Sequence, residues 1–233
     1  MASEPIAGAP QASAKQAVKV WDLPVRLTHW SFAALVPAMW MTAENSQWGW
    51  HMRLGHVLLA LLLFRIFWGL IGTDTARFAN FVKGPLKVIQ YLRGDYDRDR
   101  AIGHNPLGAL AVVALLGVML AQVSMGLFSG DPYDGATGPL NALVGVGTAD
   151  MLTDWHETFF YIVGGLVLLH ITAIAIYAGV RLENLVGPMV TGSREVDAGV
   201  EGTGDVPWGR ALGAFALAAA IAFWVYSGAP PLT

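Results

Sequence analysis

Apolar residues along this chain gather into five long runs, at about residues 24–43, 54–72, 107–128, 156–180 and 209–227, separated by polar stretches. At 1.5 Å per residue each run is long enough to cross a hydrocarbon layer of about 30 Å, so each predicts a transmembrane helix. The first opens on Asp22-Leu23-Pro24, a capping residue followed by a proline where a missing N–H costs nothing; Pro37, deeper in, predicts a kink. Between the second and third runs, Leu86, Ile89 and Leu92 form a short apolar face beside lysines, which predicts a helix lying in the interface. The alternating charges from Asp95 to Arg100 predict a solvated turn. The expected fold class is an all-α integral membrane protein, a four-helix transmembrane bundle with a fifth, C-terminal transmembrane helix. Its expected divisions are a flexible tail at 1–20, a membrane domain at 21–182, a Gly-rich acidic linker at 183–207 and the additional helix at 208–233. The tail lacks the apolar core of a secretory signal and reads as retained.

Composition supports the membrane reading: 55% of residues are hydrophobic and 13% charged. The formal net charge of −3 gives no reason to expect a nucleic-acid partner. There is no cysteine, which excludes disulfides, thiolate-bound iron–sulfur clusters and covalently attached haem.

Charge is unevenly divided among the loops. Lys15, Lys19 and Arg26 precede the first run; Arg77, Lys83, Lys87, Arg93, Arg98 and Arg100 follow the second; Arg181, Arg194 and Arg210 follow the fourth. The loops 42–50 and 129–155 have neither Lys nor Arg, and the latter carries Asp131, Asp134, Asp150 and Asp154. The positive-inside rule then places the N-terminus in the cytoplasm and the C-terminus outside, as five crossings require. Tryptophans are expected to mark the interfaces, Trp21, Trp30, Trp68 and Trp208 toward the basic side and Trp40, Trp48, Trp50, Trp155 and Trp224 toward the other.

The candidate chemistry lies in the fourth run. His156 and His170 are fourteen positions apart, which returns to nearly the same helix face about 21 Å further along the axis. Ionisable side chains within a bilayer are costly and point to function. Each has a counterpart at its own depth: His29 in the first run lies on the basic side, as His170 does, while His51 or His56 in the second run lies on the outer side with His156. Five positions rotate a side chain by about 140°, so His51 and His56 cannot both face one partner. Neutral imidazoles paired at two depths suit two haem b groups, each held by two histidines. Arg65 lies fourteen residues past His51 at the level of His29, where a haem propionate would neutralise it. His104, at the start of the third run, is a further candidate for a haem or quinone contact, and Gln122 is the only amide in that run. Gly164 and Gly165, midway between the two histidines, would admit a close approach.

These residues carry a resemblance. Leu27-Thr28-His29-Trp30, His51 four residues before Gly55 with Arg65 ten further on, and Trp155-His156-Glu157-Thr158 with His170 fourteen on resemble the bacterial dihaem cytochrome b561 family. Ala76-Arg77-Phe78 to Gly84-Pro85 and the Gly103-His104-Asn105-Pro106-Leu107-Gly108 box resemble the branch that includes b-type cytochrome subunits of nickel-iron hydrogenases. The resemblance covers about residues 18–182. It implies His51 rather than His56 as ligand, with His29 paired to His170 and His51 to His156 as ligands to haem iron. Arg53 and His56 then become candidates for secondary contacts to a propionate or a quinone.

The expected function is transmembrane electron transfer between the quinone pool and an extracytoplasmic redox partner. The resemblance implies a c-type cytochrome, a hydrogenase or another dehydrogenase, as a subunit of a larger complex or a homo-oligomer, docking on the acidic 129–155 loop. A second reading is a self-contained quinone-dependent oxidoreductase, for instance one acting on superoxide. A third is a histidine-based metal or proton transporter, which would be colourless.

Overall fold

A computed structural model describes residues 15–94, 102–131 and 135–230. The charged turn expected at 95–100, Asp134 and the tail before Lys15 lie outside the described residues. In chain order the elements are strand β1 (Lys15–Lys19), helices α1 (Leu23–Glu44), α2 (Trp48–Ile71), α3 (Phe78–Phe81), α4 (Pro85–Arg93) and α5 (Pro106–Phe128), strands β2 (Gly130–Asp131) and β3 (Ala136–Thr137), helices α6 (Val146–Val180) and α7 (Val186–Thr191), strand β4 (Ser193–Asp197) and helix α8 (Trp208–Tyr226).

Among the described residues four helices are both long and apolar enough to cross a membrane: α2, α5, α6 and α8. At 22 residues α1 has the length, but Arg26, Thr28, His29 and Ser31 dilute its apolar character and it is not one of the four. It continues through Pro37 as one helix.

The start of α1 shows how the basic side is built. Asp22 caps the helix by accepting from the Val25 N–H at 2.7 Å, as its position suggests. The same carboxylate, 1% exposed, also accepts from Trp68 Nε1 at 2.8 Å and Thr73 Oγ1 at 2.5 Å. One buried anion therefore joins the first turn of α1 to the last turn of α2 and the loop beyond it. Trp68 is fully buried here and Trp21 nearly so; Trp68 is no interface anchor, because a ring whose polar edge has an internal partner gains more inside than at the headgroups, and Trp21 packs in the same core. Trp30, Trp40, Trp50, Trp155 and Trp208 are exposed, as interface residues are. Asp22→Ala should lower stability by roughly 2–4 kcal/mol, since it removes a cap and leaves two buried donors unpaired. A thermal unfolding comparison with Asp22→Asn, which keeps the capping oxygen, checks this.

The helix carrying His156 is longer than its apolar run. It starts at Val146 rather than near residue 156, so its 35 residues extend about 52 Å and its first turns stand outside a hydrocarbon layer. Hydropathy marks only the lipid-crossing portion, whereas the polar segment 147–154 continues the same backbone pattern. Helix α4 forms where the interfacial helix is expected, with Leu86, Ile89 and Leu92 exposed on it.

Helix α8 packs along α2. Ala211, Ala214, Ala218, Ala222 and Val225, spaced three or four apart, form its buried face, and small side chains there let the backbones come close. It therefore carries part of the core instead of only flanking the bundle. The tail and linker also differ from expectation. Lys15–Lys19 and Ser193–Asp197 form an antiparallel pair, with Ala17 opposite Glu195. Gly192 O accepts from the Val20 and Trp21 N–H groups, and Lys19 pairs with Asp205 at 2.8 Å. The short β pattern of Val18 and Val196 is too brief to read from sequence, and its partners lie nearly 180 residues apart.

Candidate functional site

Four of the six histidines come together as two pairs, one on each side of the bundle. On the side away from the basic loops, the outer side of the expected orientation, His51 in the first turn of α2 lies against His156 of α6 with ring centres 6.1 Å apart. On the basic side His29 of α1 faces His170 of α6 at 6.3 Å. Two imidazoles on opposite sides of one metal, with bonds of about 2 Å and ring centres about 1 Å behind the nitrogens, stand roughly 6 Å apart. Both pairs have that spacing. Fourteen residues of α6 set the two levels about 21 Å apart along the helix axis.

The outer pair is held by backbone carbonyls. His156 Nδ1–H donates to Gln122 O at 2.8 Å, and the Gln122 side chain donates back to His156 O at 2.8 Å. His51 Nδ1–H donates to Met39 O at 3.0 Å. A carbonyl can only accept, so these bonds fix the tautomer and leave each Nε2 as a bare lone pair, the form in which imidazole binds a metal. Gly126, one turn past Gln122 on α5, makes room for the ring: a Cβ there would lie 2.8 Å from His156 Cε1. At Gly164 and Gly165 a Cβ would meet no protein atom within 4 Å, so the tight helix–helix approach among these glycines is the one at Gly126 of α5. A cavity of about 640 Å³ adjoins the pair, lined among others by His51, His156, Gly55, Gly126 and Gln122.

Below the inner pair lies a denser cluster. Arg65 is 5% exposed, donates to Ala76 O at 3.4 Å and sits 5.1 Å over the Phe78 ring, with Asp22 as the nearby anion. It is internal and does not reach the headgroups. Phe78 reaches it because Gly69 leaves a gap; a Cβ there would lie 2.1 Å from the ring. The His104 ring lies tilted against both Trp21 and Phe81 with centres 4.5 Å apart, while the helix cap of α5 is the neighbouring Asn105, whose side chain accepts from the Gly108 N–H at 2.7 Å. Desolvation, with Arg65, His170 and His29 adding positive potential, pushes His104 down to about 3. The unfolded chain then takes up a proton near pH 6.5 that the folded chain refuses. Stability should fall as pH drops from about 6.5 toward 3, and less steeply in His104→Gln, as pH-dependent unfolding measures. Tyr177 of α6 contacts the Tyr91 hydroxyl and accepts from Asn105 Nδ2 at 3.1 Å, closing the base of this cluster.

Of the two remaining candidates, His56 lines the outer cavity and Arg53 does not. Arg53 lies 5.3 Å over Trp50 on the outer surface. His56 faces α8, with its ring edge-on to Tyr226 at 4.5 Å. The residues that sequence reasoning left without a role are Gly126 and Gln122, whose spacing of four on one helix face is the signal that could have joined them to the site.

Among the described residues no cluster of three or more His, Asp or Glu could by itself hold a metal ion. The imidazoles come in twos, the number of axial ligands needed by an iron whose other positions a porphyrin fills. Apolar crossing helices around paired imidazoles define a membrane-embedded b-type cytochrome of electron transport. The chain belongs to the prokaryotic cytochrome b561 family, whose model matches residues 20–192. It is 27% identical over 214 residues to a probable Ni/Fe-hydrogenase B-type cytochrome subunit of Azotobacter chroococcum mcd 1, covering 76% of this chain and 88% of that protein. The corresponding protein of Azotobacter vinelandii is 25% identical over 217 residues, with the same coverage of 76% and 88%. No solved structure matches the chain. The family match begins just after β1 and ends just before β4, so both strands and α8 lie beyond it.

Proposed function

We propose that this protein is a two-haem electron carrier of the bacterial inner membrane, passing electrons between the quinone pool and a redox protein on the outer side. The observation that carries this reading is the recurrence of one geometry at two depths, paired imidazoles with centres 6.1 and 6.3 Å apart. His51 and His156 would hold one haem b, His29 and His170 the other. Bound there, haem supplies a one-electron iron couple. The chain's own residues do the rest: Gln122 and Met39 carbonyls fix the outer tautomers, Gly126 gives the ring its place, and Arg65 provides positive charge for a propionate on the inner level.

In this reading α1 crosses with the four more apolar helices, making five crossings. The basic loops lie in the cytoplasm with the N-terminus, and the C-terminus lies in the periplasm. The outer partner is a hydrogenase, another dehydrogenase or a c-type cytochrome, and the relatives named as hydrogenase cytochrome subunits favour the first. Asp150 and Asp154, in the projecting turns of α6, give the docking side its negative charge. Pyridine-haemochrome quantification and a reduced-minus-oxidised spectrum of the purified chain test the reading. Two haems per polypeptide with low-spin b-type bands are expected; a colourless protein, or one haem, would overturn it.

A further inference from the structure

Helix α4 has a face that the bundle leaves uncovered. Leu86, Ile89 and Leu92, three apart, form one stripe along it, with Leu86 74% and Leu92 65% exposed. Tyr91, nearly opposite Ile89 around the helix, holds α4 down: it is buried, and its hydroxyl contacts that of Tyr177. Tyr177 stands three residues before the end of α6, and the Asn105 side chain that bonds it caps the start of α5. The helix is thereby fixed where two crossing helices end, which is the level of the headgroups of a membrane. Its nine residues are too few to persist as a helix without covering.

Charge on this segment is of one sign. From Thr75 to Gly94 the charged residues are Arg77, Lys83, Lys87 and Arg93, and the first acid, Asp95, comes after the left-handed Gly94 that ends the helix. Arg77 is paired with Asp74, whereas Lys83, Lys87 and Arg93 are exposed and enter no ion pair among the described residues. Lys87 follows Leu86 directly and Arg93 follows Leu92. With the leucines in the acyl layer, the long stems of these two cations carry their charges up to phosphate height. An acidic protein surface would answer the cations but not the apolar stripe beside them; an anionic lipid answers both and is already at this depth.

We propose that α4, together with Lys83, is a binding surface for anionic phospholipid, with Lys83, Lys87 and Arg93 on the phosphodiester groups and Leu86, Ile89 and Leu92 among the acyl chains. The lipid fastens α4 to the leaflet on the basic side and keeps Tyr91 seated against Tyr177. This inference takes its depth from the crossing helices alone and makes no use of the two-haem reading.

Two measurements on the full-length chain test it. Native mass spectrometry of the detergent-solubilised chain, titrated with phosphatidylglycerol or phosphatidylcholine, gives the headgroup preference. Hydrogen exchange in nanodiscs of either lipid gives the protection of residues 85–93. The wild-type chain should bind phosphatidylglycerol about ten-fold more tightly, a modest part of what three cations at a headgroup surface can supply. Exchange within α4 should be slower in the anionic discs. Lys87→Gln/Arg93→Gln should bring the preference to within about two-fold and abolish the difference in exchange, and Lys83→Gln/Lys87→Gln replaces it should that variant not fold. Lys15→Gln/Arg53→Gln removes the same charge at two exposed positions away from α4 and should change neither. Equal binding of the two lipids by the wild type, an equal loss in the Lys15/Arg53 control, or slowing of α4 exchange by inorganic phosphate in phosphatidylcholine discs overturns the inference. A colourless chain that keeps the lipid preference would overturn the two-haem reading and uphold this one.

Discussion

His156→Ala should leave the protein with one haem in place of two, and His29→Ala should do the same from the other side. Each variant removes one ring of one pair, and the pairs share no ligand. The levels are separated by about 21 Å of helix, so loss of the outer group leaves His29 and His170 still facing each other. Haem per polypeptide should halve in each variant, and a potentiometric titration showing two waves in the wild type should show a different single wave in each. The double variant should be colourless. Unchanged haem content, or loss of both groups from either single change, would refute the pairing.

The second large effect is expected at a residue with no polar chemistry of its own. Gly126→Val should abolish retention of the outer haem, and Gly126→Ala should weaken it by one to two orders of magnitude, the usual cost of disturbing a ligand's supporting shell. The first added carbon would lie 2.8 Å from His156 Cε1 and 3.1 Å from Nδ1. The ring cannot simply shift, because its Nδ1 is tied to Gln122 O on the same helix that brings the intrusion. Either the hydrogen bond or the spacing to His51 must go, with an overpacking cost of about 1–3 kcal/mol. Gly117→Ala, exposed on the opposite face of the same helix with nothing within 4 Å, should leave haem content unchanged and is the matched control. Titration of haem into stripped protein, followed at the reduced band, measures both.

The contrast between these two predictions shows what the chain discloses before it folds. The fourteen-residue interval between His156 and His170 needs only helical geometry and a membrane thickness, so the two levels were readable, as was the mismatch in direction between His51 and His56. The supports of the histidines were not. Gln122 holds His156 through its backbone carbonyl, and a carbonyl has no residue identity to read. Gly126 matters only because α5 and α6 lie close enough for a ring to fill the space. Trp68 looked like an interface anchor until its N–H was found on Asp22, a carboxylate 46 residues earlier. The early start of α6 is illegible for a simpler reason: an apolar run reports where lipid is, and a helix can outlast it.

The strand pair joining residues 15–19 to 193–197 also governs when the chain can become itself. A growing polypeptide has every helix of the two histidine pairs in hand once α6 is made, yet the threads that fasten its beginning exist only after a further stretch has emerged. Until then the leading strand has no mate and the Gly192 carbonyl that anchors Val20 and Trp21 has not been synthesised. Closure of this pair is thereby deferred until residues 193–197 have emerged, and a ribosome stalled before that point should release a bundle whose leading strand has never been fastened.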